Sequence, residues 1–142
     1  MEKMSTGLVS IIIVTAGIGD HLKLLLDSIK KQTYPGLENI IIDNSLCGRI
    51  RILADGAKCY SAKTNLFYCQ ALNMGIRNSK GEFVLCLNDD VVLDNKFVEE
   101  ALKGFSVDPK IGIVSGKVMR KDRRTLDSTG LFLSAWLTAR ER

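Results

Sequence analysis

The 142-residue chain predicts an α/β fold with a mainly parallel sheet. Three observations carry that expectation. Leu8 to Val14 is β-branched and nearly continuous, the composition of a strand buried on both faces of a parallel sheet. Segments with helical apolar spacing then alternate with short apolar runs. Finally, the apolar run Phe83 to Leu87 stops at Asn88-Asp89-Asp90, which reads as a buried strand ending in a carboxylate cluster.

Taken in order, Leu8–Val14 is the first central strand, and Thr15 to Gly19 is the loop at its carboxyl end. Asp20 is placed to cap a helix in which Leu22, Leu25, Leu26 and Ile29 form one stripe, ended by Tyr34-Pro35-Gly36. Asn39–Ile42 is a second strand, completing a βαβ unit, and Asp43-Asn44-Ser45 follows it at once. Leu46 to Ala62 predicts a short helix and a short strand near Cys59-Tyr60. Asn65–Phe67 reads as a loop and Tyr68–Asn78 as a helix with Cys69, Leu72 and Ile76 on its apolar side. After the Phe83–Leu87 strand, Phe97, Val98, Ala101, Leu102 and Phe105 mark a helix closed by Pro109. Ile111–Met119 reads as a strand, Arg120–Arg124 as a charged loop, and Leu131–Leu137 as a strand or the start of a hairpin.

Composition bounds the function. With 46% hydrophobic and 25% charged residues the chain is globular, not disordered, and its length predicts one domain over residues 1–142. The net charge of +4 is mild and the basic residues do not interleave with aromatics, so no nucleic-acid partner is expected. The 4 cysteines (Cys47, Cys59, Cys69 and Cys86) form no C-x-x-C pair and His21 is the single histidine, which speaks against zinc. They read as reduced thiols of a cytoplasmic protein, with Cys86 packed in its strand as a small hydrophobe. The 11 residues from Leu8 to Ile18 are too few to span a bilayer.

Ligands of open α/β sheets gather outside the carboxyl ends of the strands, and three polar clusters fall there: Thr15 onward, Asp43-Asn44-Ser45 and Asn88-Asp89-Asp90. Adjacent carboxylates suit a hard divalent cation such as Mg²⁺ or Mn²⁺ shared with substrate phosphates. The plainer alternative is a solvated turn in which Asp89 or Asp90 caps the next helix. Convergence of the three clusters suits a nucleotide ligand.

These pieces together resemble the nucleotide-binding half of the family 2 glycosyltransferases, which have the Rossmann-like GT-A fold with helices on both faces of the sheet. The resemblance rests on Val9–Thr15, Leu26-Asp27-Ser28-Ile29 with Gln32-Thr33-Tyr34-Pro35, and Ile41–Ser45. It continues through Asn65-Leu66-Phe67, Ala71–Ile76 and Leu87-Asn88-Asp89-Asp90, covering nearly all of residues 8–135 in order. Leu-Asn-Asp-Asp followed by Asp127-Ser128-Thr129-Gly130 looks most like the rhamnosyltransferase-type members.

The resemblance implies a UDP- or dTDP-linked sugar donor, a divalent metal and inverting transfer to a hydroxyl of a glycan or lipid-linked acceptor. It places Thr15 beside the base and gives Asp43 a hydrogen bond from the uracil or thymine imide. Asn88 takes the first position of the family's D-x-D near the ribose, Asp89 the middle position, and Asp90 the second, as metal ligand. Asn73 serves the helix near the donor pocket. Asn88 departs from the usual first aspartate, a neutral acceptor in place of a charged one. Family members continue with an acceptor-binding half that carries the catalytic base, so the chain reads as a partial domain that binds donor and transfers little sugar alone. Such members often work at the inner face of the cell membrane, where Arg120–Arg124 would touch anionic lipid.

Two rival readings stand beside this one. Gly17-Ile18-Gly19 after the first strand, with Asp43 ending the second, suits a dinucleotide-binding Rossmann domain, although Leu22 occupies the third glycine position of G-x-G-x-x-G. A half-domain with an uncovered apolar face would instead be a non-catalytic module that forms homo-oligomers.

Overall fold

A computed structural model describes residues 7–17, 19–46, 50, 56–122, 124–129, 131–133 and 139–141. The chain divides into two compact units, Met1–Lys96 and Phe97–Arg142.

The first unit contains β1 (Val9–Thr15), α1 (Asp20–Lys30), β2 (Leu37–Asp43), β3 (Lys58–Ser61), α2 (Tyr68–Arg77) and β4 (Phe83–Asn88). Its sheet has the order β3-β2-β1-β4, and every pairing is parallel. The β-branched run does what its composition predicts: Ile11, Ile12, Ile13, Ile40, Ile41 and Ile42 are all fully buried. Strand alternation sends Ile12, Ile40 and Ile42 to the face where Ala71 of α2 packs, with Val14, Tyr60 and Leu66 around them. The opposite face is equally buried, and Leu22, Leu25 and Ile29 form the buried stripe of α1. Each fully buried isoleucine side chain contributes about 1.5–3 kcal/mol through removal of apolar surface from water.

Helix ends and faces depart from expectation in informative ways. Gly19, not Asp20, is the N-cap of α1; Asp20 lies in the first turn, where its charge favours the helix dipole. The helix stops at Lys30, before Pro35. The buried side of α2 is Ala71 and Gly75; of the expected apolar side, Leu72 packs partly buried against the core, while Cys69 and Ile76 are exposed. Small residues win because the helix lies so close to β1 that a Cβ on Gly75 would fall 2.4 Å from Cγ2 of Ile12.

β4 is not the buried strand its apolar run predicts. It lies at the edge of the described sheet, where Leu87 is buried but Val84 is 40% exposed and Cys86 is exposed. Cys86 pairs in register with Ile12 and so shares the face covered by α2, but that helix packs on β1 and β2 and leaves the edge open.

The second unit holds α3 (Phe97–Phe105), in which Val98 and Leu102 are buried. The strand expected over Ile111–Met119 shrinks to β5 (Val118–Met119), paired antiparallel with β6 (Leu126–Ser128). Residues 111–117 instead follow α3 without ladder bonds, held by close approach of Val114 to Gly104 and of Phe97 to Gly116. Where a strand or the start of a hairpin is expected over Leu131–Leu137, β7 (Leu131–Leu133) pairs antiparallel with β8 (Ala139–Glu141), and residues 134–138 lie outside the described residues. The short helix expected between Leu46 and Cys59 falls largely outside the described residues, as does Cys47.

Candidate functional site

Parallel register brings the three polar clusters level. Thr15 pairs with Asp43 across β1 and β2, and Val14 pairs with Asn88 across β1 and β4. The Asn44 N–H then donates to the Thr15 carbonyl at 2.8 Å, extending the ladder one residue past the strands.

Thr15 is buried, and its hydroxyl lies 2.5 Å from Oδ2 of Asp89 and 2.9 Å from the Gly17 carbonyl. The hydroxyl has one proton, so the shorter contact to a charged acceptor dominates. Asp89 is thereby tied to the loop after β1, a partner 74 residues away in sequence. Its neighbour Asp90 is exposed and makes no hydrogen bond or ion pair among the described residues, and Asn88 is likewise exposed.

Asp43 is completely buried. Its Oδ1 accepts from the backbone N–H of Ser45 at 2.9 Å and from the Ser45 hydroxyl at 2.5 Å. Its Oδ2 has no hydrogen-bond partner among the described residues. A buried carboxylate oxygen without a donor is costly, on the order of 1–3 kcal/mol or more, which sets this atom apart from the bonded Oδ1.

Asn44 performs a different task. Its amide donates to Asn65 Oδ1 at 3.0 Å and to the Leu66 carbonyl at 2.9 Å, while its Oδ1 accepts from the Leu66 N–H at 2.8 Å. These three bonds hold the 65–67 loop that leads into α2, whose Phe67 N–H is capped by Gln70 Oε1 at 3.2 Å. A cleft of about 300 Å³ lies between these elements, lined by Val14, Ala16, Asn44, Tyr68, Asn88, Asp89 and Asp90. A second cleft of about 300 Å³ shares Asp89 and is lined by Ala16, Gly17, Gly19, His21 and Leu22.

The structure therefore gathers Thr15, Asp43, Asn88, Asp89 and Asp90 at one end of the sheet. Asn73 is not brought there: it is exposed, and helical spacing sets it away from the buried pair Ala71 and Gly75. Two contributors escape sequence reasoning. Asn44 reads only as part of a polar cluster, and Tyr68 reads only as a helix start. Burial pushes the Tyr68 phenol up from its usual range, with the nearby thiols of Cys86 and Cys69 acting in the same sense. Burial also pushes the Cys86 thiol up. The Cys86 side chain is nonetheless exposed, at the sheet edge and not in a packed core.

Asn88, Asp89 and Asp90 offer hard oxygen donors, and among the described residues no lysine or arginine pairs with either carboxylate. No group of three or more His, Cys, Asp or Glu side chains able to hold a metal occurs among the described residues. That donor set fits Mg²⁺ or Mn²⁺, which bind through one or two carboxylates and complete their shell with water and substrate phosphates. It does not fit an all-protein zinc site.

A parallel sheet with polar clusters past its carboxyl ends is the ligand-binding arrangement of open α/β folds. Residues 10–139 match the model of the family described as Glycosyl transferase family 2, and the chain belongs to that family. It is 31% identical over 107 residues to a poly-beta-1,6-N-acetyl-D-glucosamine synthase of Staphylococcus epidermidis, covering 71% of this chain and 26% of that protein. It is 37% identical over 93 residues to an uncharacterised glycosyltransferase of Rickettsia typhi, covering 63% of this chain and 29% of that one. Among solved structures, a mannosyltransferase of Pyrobaculum calidifontis in complex with GDP-Man and Mn²⁺ superposes with a TM-score of 0.71 at 26% identity, over 80% of this chain and 36% of that one. Residues 1–349 of TarS from S. aureus, in complex with UDP-GlcNAc, share the fold with a TM-score of 0.62 at 17% identity. The chain thus spans 26% and 29% of the length of these two relatives.

Proposed function

We propose that residues 1–142 are part of one GT-A domain and bind a nucleotide-diphospho-sugar donor for inverting transfer to an acceptor hydroxyl. The observation that carries this reading is the orphaned Oδ2 of Asp43, buried at the strand end beside Asn44, which lines the cleft with Asn88 and Asp90. An acceptor-only atom suits the imide N–H of uracil or thymine. Thr15 fixes the loop beside the base and holds Asp89, Asn88 accepts from the ribose, and Asp90 faces the diphosphate as metal ligand. A divalent cation bound there supplies charge neutralisation for the diphosphate leaving group, generally a contribution of about several kcal/mol. The Mn²⁺ complex of the mannosyltransferase supports the metal, and its GDP-Man keeps guanine, whose N1 also carries a proton, among the bases to test.

An inverting displacement needs a base near the attacking hydroxyl. Among the described residues the cleft lining holds two carboxylates, Asp89 and Asp90, both given to the donor side in this reading, in which the chain binds donor with little turnover of its own. The Asn-Asp-Asp sequence with Asp127-Ser128-Thr129 favours a rhamnose-like sugar. The polysaccharide synthase among the relatives supports a glycan or lipid-linked acceptor. Among the described residues no helix is long and apolar enough to cross a membrane, and the exposed Arg120, Lys121 and Arg124 suit peripheral contact with anionic lipid. The dinucleotide reading loses its motif, since Leu22 is a buried core residue of α1.

Calorimetry of UDP and dTDP with and without Mn²⁺ tests the proposal. Metal-dependent binding that weakens in Asp43→Asn and disappears in Asp90→Ala supports it. Absence of binding by the folded wild-type chain would overturn it.

A further inference from the structure

We infer that Tyr68 is the stacking platform for the nucleobase in the cleft between β1 and α2. This inference rests on the donor-binding reading above. The cleft lining is graded: Asn88, Asp89 and Asp90 make one part acidic, whereas Val14, Ala16 and the Tyr68 ring are its apolar surface. Tyr68 is the single aromatic residue of that lining. Asn44 lines the same cleft directly after Asp43, whose buried Oδ2 has no hydrogen-bond partner among the described residues. A nucleoside diphosphate with its diphosphate at Asp90 and its base toward Asn44 then lays the base face against the phenol ring.

Tyr68 is also free to do this. It is 47% exposed, and its hydroxyl has no hydrogen-bond partner among the described residues. The helix does not need the ring as an anchor, because Ala71 and Gly75 seat α2 on the sheet. Burial and the neighbouring Cys86 and Cys69 thiols hold the phenol neutral, so no phenolate repels the diphosphate. The ring's own height is fixed indirectly by Asn44, which pins the loop directly before it. Stacking tolerates any base, so the platform supplies affinity while Asp43 supplies the choice of base.

The test compares Tyr68→Ala and Tyr68→Phe with the wild-type chain, using Mn²⁺ with UDP and, separately, Mn²⁺ with inorganic pyrophosphate. Tyr68→Ala is expected to weaken UDP roughly ten-fold or more and leave pyrophosphate unchanged, since only the nucleotide carries a base to stack. Tyr68→Phe is expected to keep UDP affinity, because the ring and not the hydroxyl acts. A second readout is alkylation of Cys86, which lies two residues before Asn88 on the same strand: UDP should slow it in the wild-type chain more than pyrophosphate does. Wild-type UDP affinity in Tyr68→Ala, or equal loss of UDP and pyrophosphate, would overturn the platform and leave the donor site standing. Failure of the wild-type chain to bind either probe would overturn both readings together.

Discussion

The two ends of the same sheet treat carboxylates in opposite ways. At the amino end, Glu38 at the start of β2 accepts from the Ser10 hydroxyl at 2.6 Å, the Lys58 ammonium at 2.8 Å and the Lys80 backbone N–H at 2.5 Å. Ser10 in turn accepts from the Gly81 N–H at 2.8 Å, so one network joins β1, β2, β3 and the entry to β4. Burial alone would raise the Glu38 pKa, but the hydrogen bonds from Lys58, Ser10 and Lys80 and the attraction of Lys58 outweigh it and bring it to about 2. At the carboxyl end, Asp43 keeps one buried oxygen without a donor, and Asp90 has no partner among the described residues. Saturated acceptors hold the strands together at one end; unpartnered ones gather at the other.

That contrast is broken or sharpened by four substitutions. The largest effect belongs to Asp90→Ala, expected to weaken Mn²⁺-dependent UDP binding by about 100-fold or more, through loss of charge on the metal, while the melting curve stays put. Equal UDP affinity in the variant would remove Asp90 from the site.

Gly81→Ala attacks the amino end. A Cβ there would lie 2.5 Å from the Ser10 hydroxyl, 2.6 Å from the Ser10 nitrogen and 2.7 Å from the Phe83 carbonyl. Two of these are backbone atoms that cannot swing aside, so denaturant titration should show a loss of about 3 kcal/mol. A loss below about 1 kcal/mol would mean that the strand entry is looser than this geometry.

Glu38→Gln should cost about 2 kcal/mol, the scale of hydrogen bonds to a charged group, without changing UDP affinity. The pH dependence has a definite sign. The folded pKa of about 2 lies below the ordinary 4.5, so the ionised form stabilises the fold above 4.5 and that contribution is lost as pH falls toward about 2. Thermal melts across this range should fall more steeply for the wild-type chain than for Glu38→Gln; parallel curves would sink the assignment.

The smallest effect is on stability in Asp43→Asn, which removes a buried charge whose second oxygen is unpartnered. Folding should be unchanged or improved by less than about 1 kcal/mol even as UDP binding weakens. A marked destabilisation would show that Asp43 is structural, like Glu38, and the distinction between the two ends would collapse.

The placement of the candidate residues was readable beforehand because strand ends are written locally: apolar runs stop where Thr15, Asp43 and Asn88 begin. The amino-end network was not readable. Glu38, Ser10, Lys58 and Gly81 are ordinary residues scattered over four segments, and only parallel register makes them neighbours. The same holds for the Thr15–Asp89 bond. Apolar counting misjudged β4, because an edge strand can be as hydrophobic as a central one, and misjudged α2, because Ala71 and Gly75 bury through smallness. It also overextended β5, since Ile113, 89% exposed, is hydrophobic without being covered.

Consider finally the neighbours Asp43 and Asn44. One leaves an acceptor open at the strand end, while the next closes every bond it can on the loop before α2. On the proposed reading, recognition and architecture fall to separate side chains one peptide apart. On that reading, a lineage could exchange one nucleotide preference for another by altering Asp43, or tune affinity at the ring of Tyr68, while the staple at Asn44 kept the cleft in shape. The strand end is, in that sense, a socket whose contacts are replaceable and whose mounting is not.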